Sequence, residues 1–173
     1  MIKAIIAGSD RNLALALEEF GGRTGVEINT ENVIVPYGIY CETTNFFDAF
    51  SYATAYACAA IDAAPDADIF IGRQSVLRRT YGSWRHLISI QIVDRHQVLL
   101  CGTWTEPVSV PRNLIDEVRS RGMTTNSLER LLAERYTQDG IDPYCWVSRG
   151  RTRQQLIVEA LLKAPDRRWL ANR

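Results

Sequence analysis

Three short segments carry side chains and backbone groups that could hold a phosphate. Gly8-Ser9-Asp10-Arg11-Asn12 follows the apolar run Ile2 to Ala7 and precedes a segment with helical spacing. A turn that ends a buried strand and starts a helix leaves backbone N–H groups facing outward, and with the helix dipole they favour an anion. Ser9 and Arg11 add donors. Read as a plain turn, the same residues supply only a helix cap, Asp10 or Asn12. Arg73-Gln74-Ser75 lies just past the apolar run Asp68 to Gly72. Ligands of open α/β sheets gather outside the carboxyl ends of strands; without a ligand these residues form a solvated strand end. Ser148 to Arg153 sets Arg149, Arg151 and Arg153 where another short strand feeds a helix. That pattern is either a phosphate clamp or a solvated basic turn.

Other reactive side chains point less clearly to chemistry. Glu42 and Asp48 stand near the start of an Ala-rich helix and offer oxygen ligands to Mg²⁺. Asp48 also suits the first turn of that helix, where a carboxylate complements the dipole. His86 and His96 flank a hairpin without a Ser or Cys partner at a triad spacing, so both read as surface residues and no hydrolase triad is supported. Cys41, Cys58, Cys101 and Cys145 are far apart, with none of the paired spacing of a zinc site. Cys58 and Cys101 sit in apolar segments and read as small buried hydrophobes.

The chain has 173 residues, 46% hydrophobic and 23% charged, which excludes a disordered chain, a coiled coil and a collagen-like fibre. Its 20 basic and 20 acidic residues cancel, which argues against a general nucleic-acid binder. The basic residues are 18 Arg and 2 Lys, Lys3 and Lys163. No apolar run approaches the roughly 20 residues of a membrane span, and the start lacks the features of a signal peptide. The expectation is a cytoplasmic protein with reduced thiols and one domain over residues 1–173, ending in a polar tail from 166.

The elements that must position these residues follow from spacing. Ile2 to Ala7 reads as a buried strand. Asn12 caps a helix over Leu13 to Phe20 that Gly21-Gly22 closes. Val26 to Val35 holds a second strand, and Asn45 caps a helix over Phe46 to Ala63, with Pro65 beyond it. Asp68 to Gly72 is a third strand. Trp84 to Val93 and Gln97 to Thr105 form an antiparallel hairpin around Asp94-Arg95-His96. Arg78 and Arg79 fall on a solvated loop before it. Pro111 opens a helix through Arg119 that Gly122 stops. Asn126 or Ser127 caps another, with Leu128, Leu131, Leu132 and Tyr136 on one face. Cys145 to Ser148 reads as a last strand, and Thr152 caps the final helix. The fold class is α/β, a mixed and partly antiparallel sheet with flanking helices.

The order of these pieces resembles the inosine/xanthosine triphosphatase family, related to the house-cleaning pyrophosphatases. The resemblance runs from residue 2 to about residue 164. It rests on the Ser9 turn, the Val35-Pro36 segment before an acidic residue and an Ala-rich helix, Ala67 to Gly72, Val108-Ser109-Val110-Pro111, Ala133-Glu134-Arg135-Tyr136-Thr137, and Arg149 to Arg151 before Gln155 to Leu161. It implies two lobes around a central cleft, a Mg²⁺-dependent phosphohydrolase acting on deaminated purine nucleotides, and a homodimer. Gly8, Ser9 and Asp10 fall on the family's phosphate turn, Glu42 near its metal carboxylate, and Arg149 or Arg151 on its basic residue before the last helix.

The departures bear on activity. Gln74 falls on the catalytic acidic position, and Val76 replaces a small residue. Leu13 replaces a phosphate-binding Lys, and Asp10 stands where Asn is expected. Tyr52, Ala53 and Tyr56 occupy helix positions where Arg and Asn are expected. A neutral amide is no proton acceptor for water, and losing the Lys removes a point charge from a polyanionic substrate. The resemblance therefore implies a nucleotide bound by Gly8, Ser9, Asp10, Arg11, Arg73, Ser75, Arg149 and Arg151, with Glu42 on Mg²⁺ and hydrolysis of ITP or XTP weak or lost. The alternative is an inactive scaffold, with Tyr37, Tyr40, Phe46 and Phe47 as a contact patch. Ser9, Arg73, Gln74 and Arg149 should line one concave surface.

Overall fold

The computed structural model describes residues 1–36, 43–122, 127–136 and 141–170. The elements run β1 (Ile2–Ala7), α1 (Arg11–Thr24), β2 (Ile28–Val33), α2 (Phe46–Ala59), β3 (Ile69–Thr80), β4 (Ser83–Val93), β5 (Leu99–Trp104), β6 (Val108–Val110), α3 (Arg112–Ser120), α4 (Ser127–Tyr136) and α5 (Arg153–Lys163). Among the described residues the strands form one six-stranded sheet in the order β2-β1-β3-β4-β5, with β6 also on β4. β1 pairs in parallel with β2 and β3, and the remaining pairs are antiparallel. The α/β class and the mixed sheet are as the sequence predicts.

Alternation along β1 builds two cores at once. Ile2, Ala4 and Ile6 pack against Leu13, Leu17 and Phe20 of α1 and Ile157, Val158 and Leu161 of α5. Ile5 faces the other way, toward Ala57 of α2 and Phe70 of β3. α1 and α2 thus cover opposite faces, as period-two strands demand. The Ala-rich sequence of α2 lets it lie very close to the sheet. A Cβ placed on Gly72 of β3 would sit 1.8 Å from the Ala53 carbonyl oxygen. A third core, around Leu77, Leu114, Val118, Leu131 and Tyr144, joins α3 and α4 to the far end of β3 and β4. This third core is distinct from the two that flank β1.

Several local expectations need correction. Asp10, not Asn12, caps α1, with its side chain accepting from the Leu13 N–H at 3.1 Å. α1 passes through Gly21-Gly22 and ends at Gly25, which takes the left-handed conformation (φ 72°) that a side chain would resist. β2 is shorter than Val26 to Val35, and α2 ends at Ala59 instead of Ala63. β3 does not stop at Gly72; it pairs from Phe70 to Thr80 along the whole of β4. Arg73, Gln74 and Ser75 are therefore mid-strand, and Arg78 and Arg79 belong to the strand, not to a loop. The expected Cys145 to Ser148 strand is a 3₁₀ turn, Pro143–Trp146, capped by Asp142. Pro143 cannot donate to a ladder, and two Asp142 oxygens cap the turn and the Arg153 N–H instead. The final helix starts as predicted, with Thr152 and Gln155 forming a reciprocal capping box.

Candidate functional site

The chain leaves β1 through α1 to β2 on one side, then returns through α2 to β3 on the other side. The end of β1 is thus the point where the sheet's winding reverses, and the crevice there is the favoured ligand position in such sheets. A pocket of about 180 Å³ occupies it, lined by Ala7, Gly8, Ser9, Asp10, Tyr56, Arg73 and Gln74. Gly8 takes φ 93°, and its N–H donates to the Val33 carbonyl at 2.8 Å, so it fixes the turn and offers no donor to a ligand. Ser9 is exposed, and no partner is found for its N–H or hydroxyl among the described residues.

Asp10 and Arg73 belong to a buried charge quartet. The Arg73 guanidinium is ion-paired to Asp10 and lies 3.5 Å from Glu129. Arg153 reaches the same Asp10 oxygen at 2.8 Å and Glu129 at 3.2 Å. Side-chain exposure is 5% for Asp10, 13% for Arg73, 13% for Glu129 and 9% for Arg153. Burial pushes the Asp10 carboxyl up, but the two guanidiniums and the Leu13 N–H outweigh it and hold the group below the ordinary carboxylate range. Glu129 follows the same logic, with burial opposed by Arg153 and then Arg73. Two positive and two negative charges cancel, so Arg73 brings no net charge to the pocket wall.

Next to this quartet, His86 is fully buried, with Nδ1 hydrogen-bonded to the Tyr144 hydroxyl. The surface reading of His86 was therefore incorrect. Gln74 is 2% exposed on the α2 side of the sheet, and Ser75 is buried on the other side, away from the pocket lining. Arg11 is exposed in the first turn of α1 and also outside the lining.

Arg149 and Arg151 do not line this pocket. They line a second depression of about 240 Å³ with Arg85, Glu106, Ser109 and Ser148. Arg151 is ion-paired to Glu106 at 2.8 Å and Glu159 at 3.0 Å, while Arg149 is exposed at φ 61° before Gly150 at φ 84°. The expectation of one concave surface holds for Ser9, Arg73 and Gln74 but not for Arg149. Glu42, Tyr37 and Tyr40 lie outside the described residues. Thr43, next to Glu42 in sequence, bridges to Val76 of β3. Phe47 is exposed, whereas Phe46 packs edge-on against Trp104.

Sequence reasoning missed Glu129, and it read Arg153 as part of a phosphate clamp or solvated turn where the structure buries it in ion pairs. One signal was present: Arg153 starts a helix, where a cation opposes the dipole and needs a compensating partner. Glu129 left no such signal among the leucines of α4. No cluster of three or more His, Cys, Asp or Glu fit for a metal occurs among the described residues. The pocket carboxylate, Asp10, is already shared by two guanidiniums, so these residues do not suit Mg²⁺. No helix among the described residues is long and apolar enough to cross a membrane. No protein-family model and no curated protein matches the chain. Among solved structures, protein VC0702 from Vibrio cholerae is similar in fold, with a TM-score of 0.71 at 16% identity over 94% of this chain and 92% of that one.

Proposed function

We propose that the chain binds the phosphate end of a purine nucleotide in the pocket at the end of β1, with hydrolysis of ITP or XTP weak or lost. The observation that carries this reading is the position of Ser9. Its N–H and hydroxyl stand at the winding-reversal point of the sheet, at the start of a 14-residue helix. At about 180 Å³ the pocket is below the roughly 300–1,000 Å³ of sites that enclose whole small molecules. It therefore takes phosphate, and the base lies outside it. Gln74 supplies an amide where a water-activating carboxylate is needed, which supports weak or absent turnover. Glu42 is the carboxylate this reading assigns to Mg²⁺, while Arg149 and Arg151 line a separate depression and take no part in it. A homodimer and a cytoplasmic location complete the reading.

The self-neutralised quartet favours a second reading, an inactive scaffold that kept the fold for interaction. A thermal-shift series with ITP, XTP, ATP and GTP, with and without Mg²⁺, separates the two. A binder gains a concentration-dependent rise in Tm, and Ser9→Glu abolishes it by placing a negative charge in the pocket. No shift with any nucleotide supports the scaffold. Turnover of ITP at about 1–1,000 per second would overturn the weak-hydrolysis reading.

A further inference from the structure

A concavity larger than the pocket at β1 exists elsewhere in the described structure. It lies at the opposite end of the long hairpin, between the β3–β4 turn and the start of α3, and encloses about 450 Å³. We propose that this basin is a second binding site, specific for a phosphate dianion, free or as a small monoester.

Its wall is made by Arg79 of β3, Trp84 of β4, and Arg112, Asp116 and Arg119 of α3. Three guanidiniums against one carboxylate leave a local charge of +2 in a chain whose net charge is zero. The only carboxylate contact among them is a loose one, Arg112 to Asp116 at 3.8 Å, with both side chains mostly exposed. Arg79 and Arg119 have no carboxylate partner among the described residues. Three other surface arginines are paired: Arg121 and Arg135 share Glu117, and Arg151 is held by Glu106 and Glu159. Arg119 is not loose, because its guanidinium lies over the half-buried Trp84 ring, 5.6 Å from its centroid. This cation–π contact restrains Arg119 at the basin and leaves its N–H donors for an acceptor such as phosphate.

The start of α3 is an independent observation. Pro111 caps this helix with no side-chain hydrogen bond, and its first turn has no acidic residue. Among the described residues no acceptor is found for the first N–H groups, those of Arg112 and Asn113, whereas α1, α2 and α5 each carry a side-chain cap. The helix start at Arg112 and the guanidiniums of Arg79, Arg112 and Arg119 border one basin of small-molecule size, an arrangement that suits a multiply charged oxyanion.

Amide NMR of the full ¹⁵N-labelled chain at a pH where phosphate is a dianion tests this, with inorganic phosphate and then AMP as probes. Saturable shifts are expected at the Arg112 and Asn113 amides and the Trp84 indole N–H. Arg112→Glu alters a side chain 89% exposed, so the fold tolerates it, and it should weaken binding at least about tenfold. Ser9→Glu should leave these shifts unchanged, which separates this basin from the pocket at β1. Equal affinity for the two probes assigns free phosphate, and tighter AMP binding assigns a monoester. The absence of saturable shifts at these groups up to about 50 mM probe, or shifts that survive Arg112→Glu, would overturn the proposal.

Discussion

Two four-charge clusters of identical sign balance end on α5. One is Asp10, Glu129, Arg73 and Arg153, each side chain at most 13% exposed. The other is Glu106, Glu159, Arg151 and Lys163, with side chains 34% to 63% exposed. Contact distances do not separate them: 2.8 Å from Arg153 to Asp10, and 2.8 Å from Arg151 to Glu106. What separates them is the water available when one partner is removed. On the surface, solvent takes over the orphaned charge, and side-chain entropy offsets much of the attraction. In the interior nothing replaces the partner, so each ion depends on the other three. Similar geometry therefore gives one cluster that ties the β1 turn, β3, α4 and α5 together and one that decorates a surface.

Removing Arg153 should break the contrast most severely. Arg153→Met leaves two buried carboxylates with one guanidinium and should cost about 3–5 kcal/mol in urea unfolding. A loss below about 1 kcal/mol would put the interior cluster in the same class as the surface one.

Acid comes next. Asp10 and Glu129 are depressed in the folded state, so their contribution is complete above the ordinary carboxylate range near pH 4 and is lost as pH falls through their lowered values. Urea midpoints measured from pH 7 to about pH 2 should fall only below about pH 4, and this fall should survive added salt because the quartet is dry. Glu106 is held at about 2 by Lys163 and Arg151, yet it faces solvent, so its share of any acid effect should disappear in about 1 M salt.

The smallest effect is expected from Arg151→Met, about 0.2–1 kcal/mol in the same urea assay. A loss comparable to that of Arg153→Met would show that the surface cluster is as closely coupled as the buried one.

How much of this was legible in the sequence depended on how local the cause was. The Thr152 cap of α5, the Asn45 cap of α2 and the β4–β5 hairpin depend on residues a few positions apart, and all were readable. The length of β3 was not. Past Gly72 the strand carries Arg73, Gln74, Arg78 and Arg79, which look like solvated chain until β4 supplies a partner along the full run. Arg73 and Gln74 were identified as site residues for their place after a strand, and they do line the pocket. The neutralisation of Arg73 was hidden because its partners lie 63 residues before it and 56 residues after it, at Asp10 and Glu129. The burial of His86 was hidden for a similar reason, since Tyr144 reaches it from 58 residues away.

The β3–β4 ladder has a mechanical consequence. Eleven successive pairs, Phe70–Val93 to Thr80–Ser83, run without a bulge from the core around Ile71 and Ile90 to the core that contains Leu77. A hinge needs a few residues able to change their backbone angles, and this span offers none that can do so without breaking ladder hydrogen bonds. The two ends of the molecule are therefore joined by a beam: it can twist or flex elastically, but it cannot fold about a point. Any closing of the crevice at β1 must come from the turn and helices around it, and the centre of the beam should exchange its amide hydrogens as slowly as the whole protein unfolds.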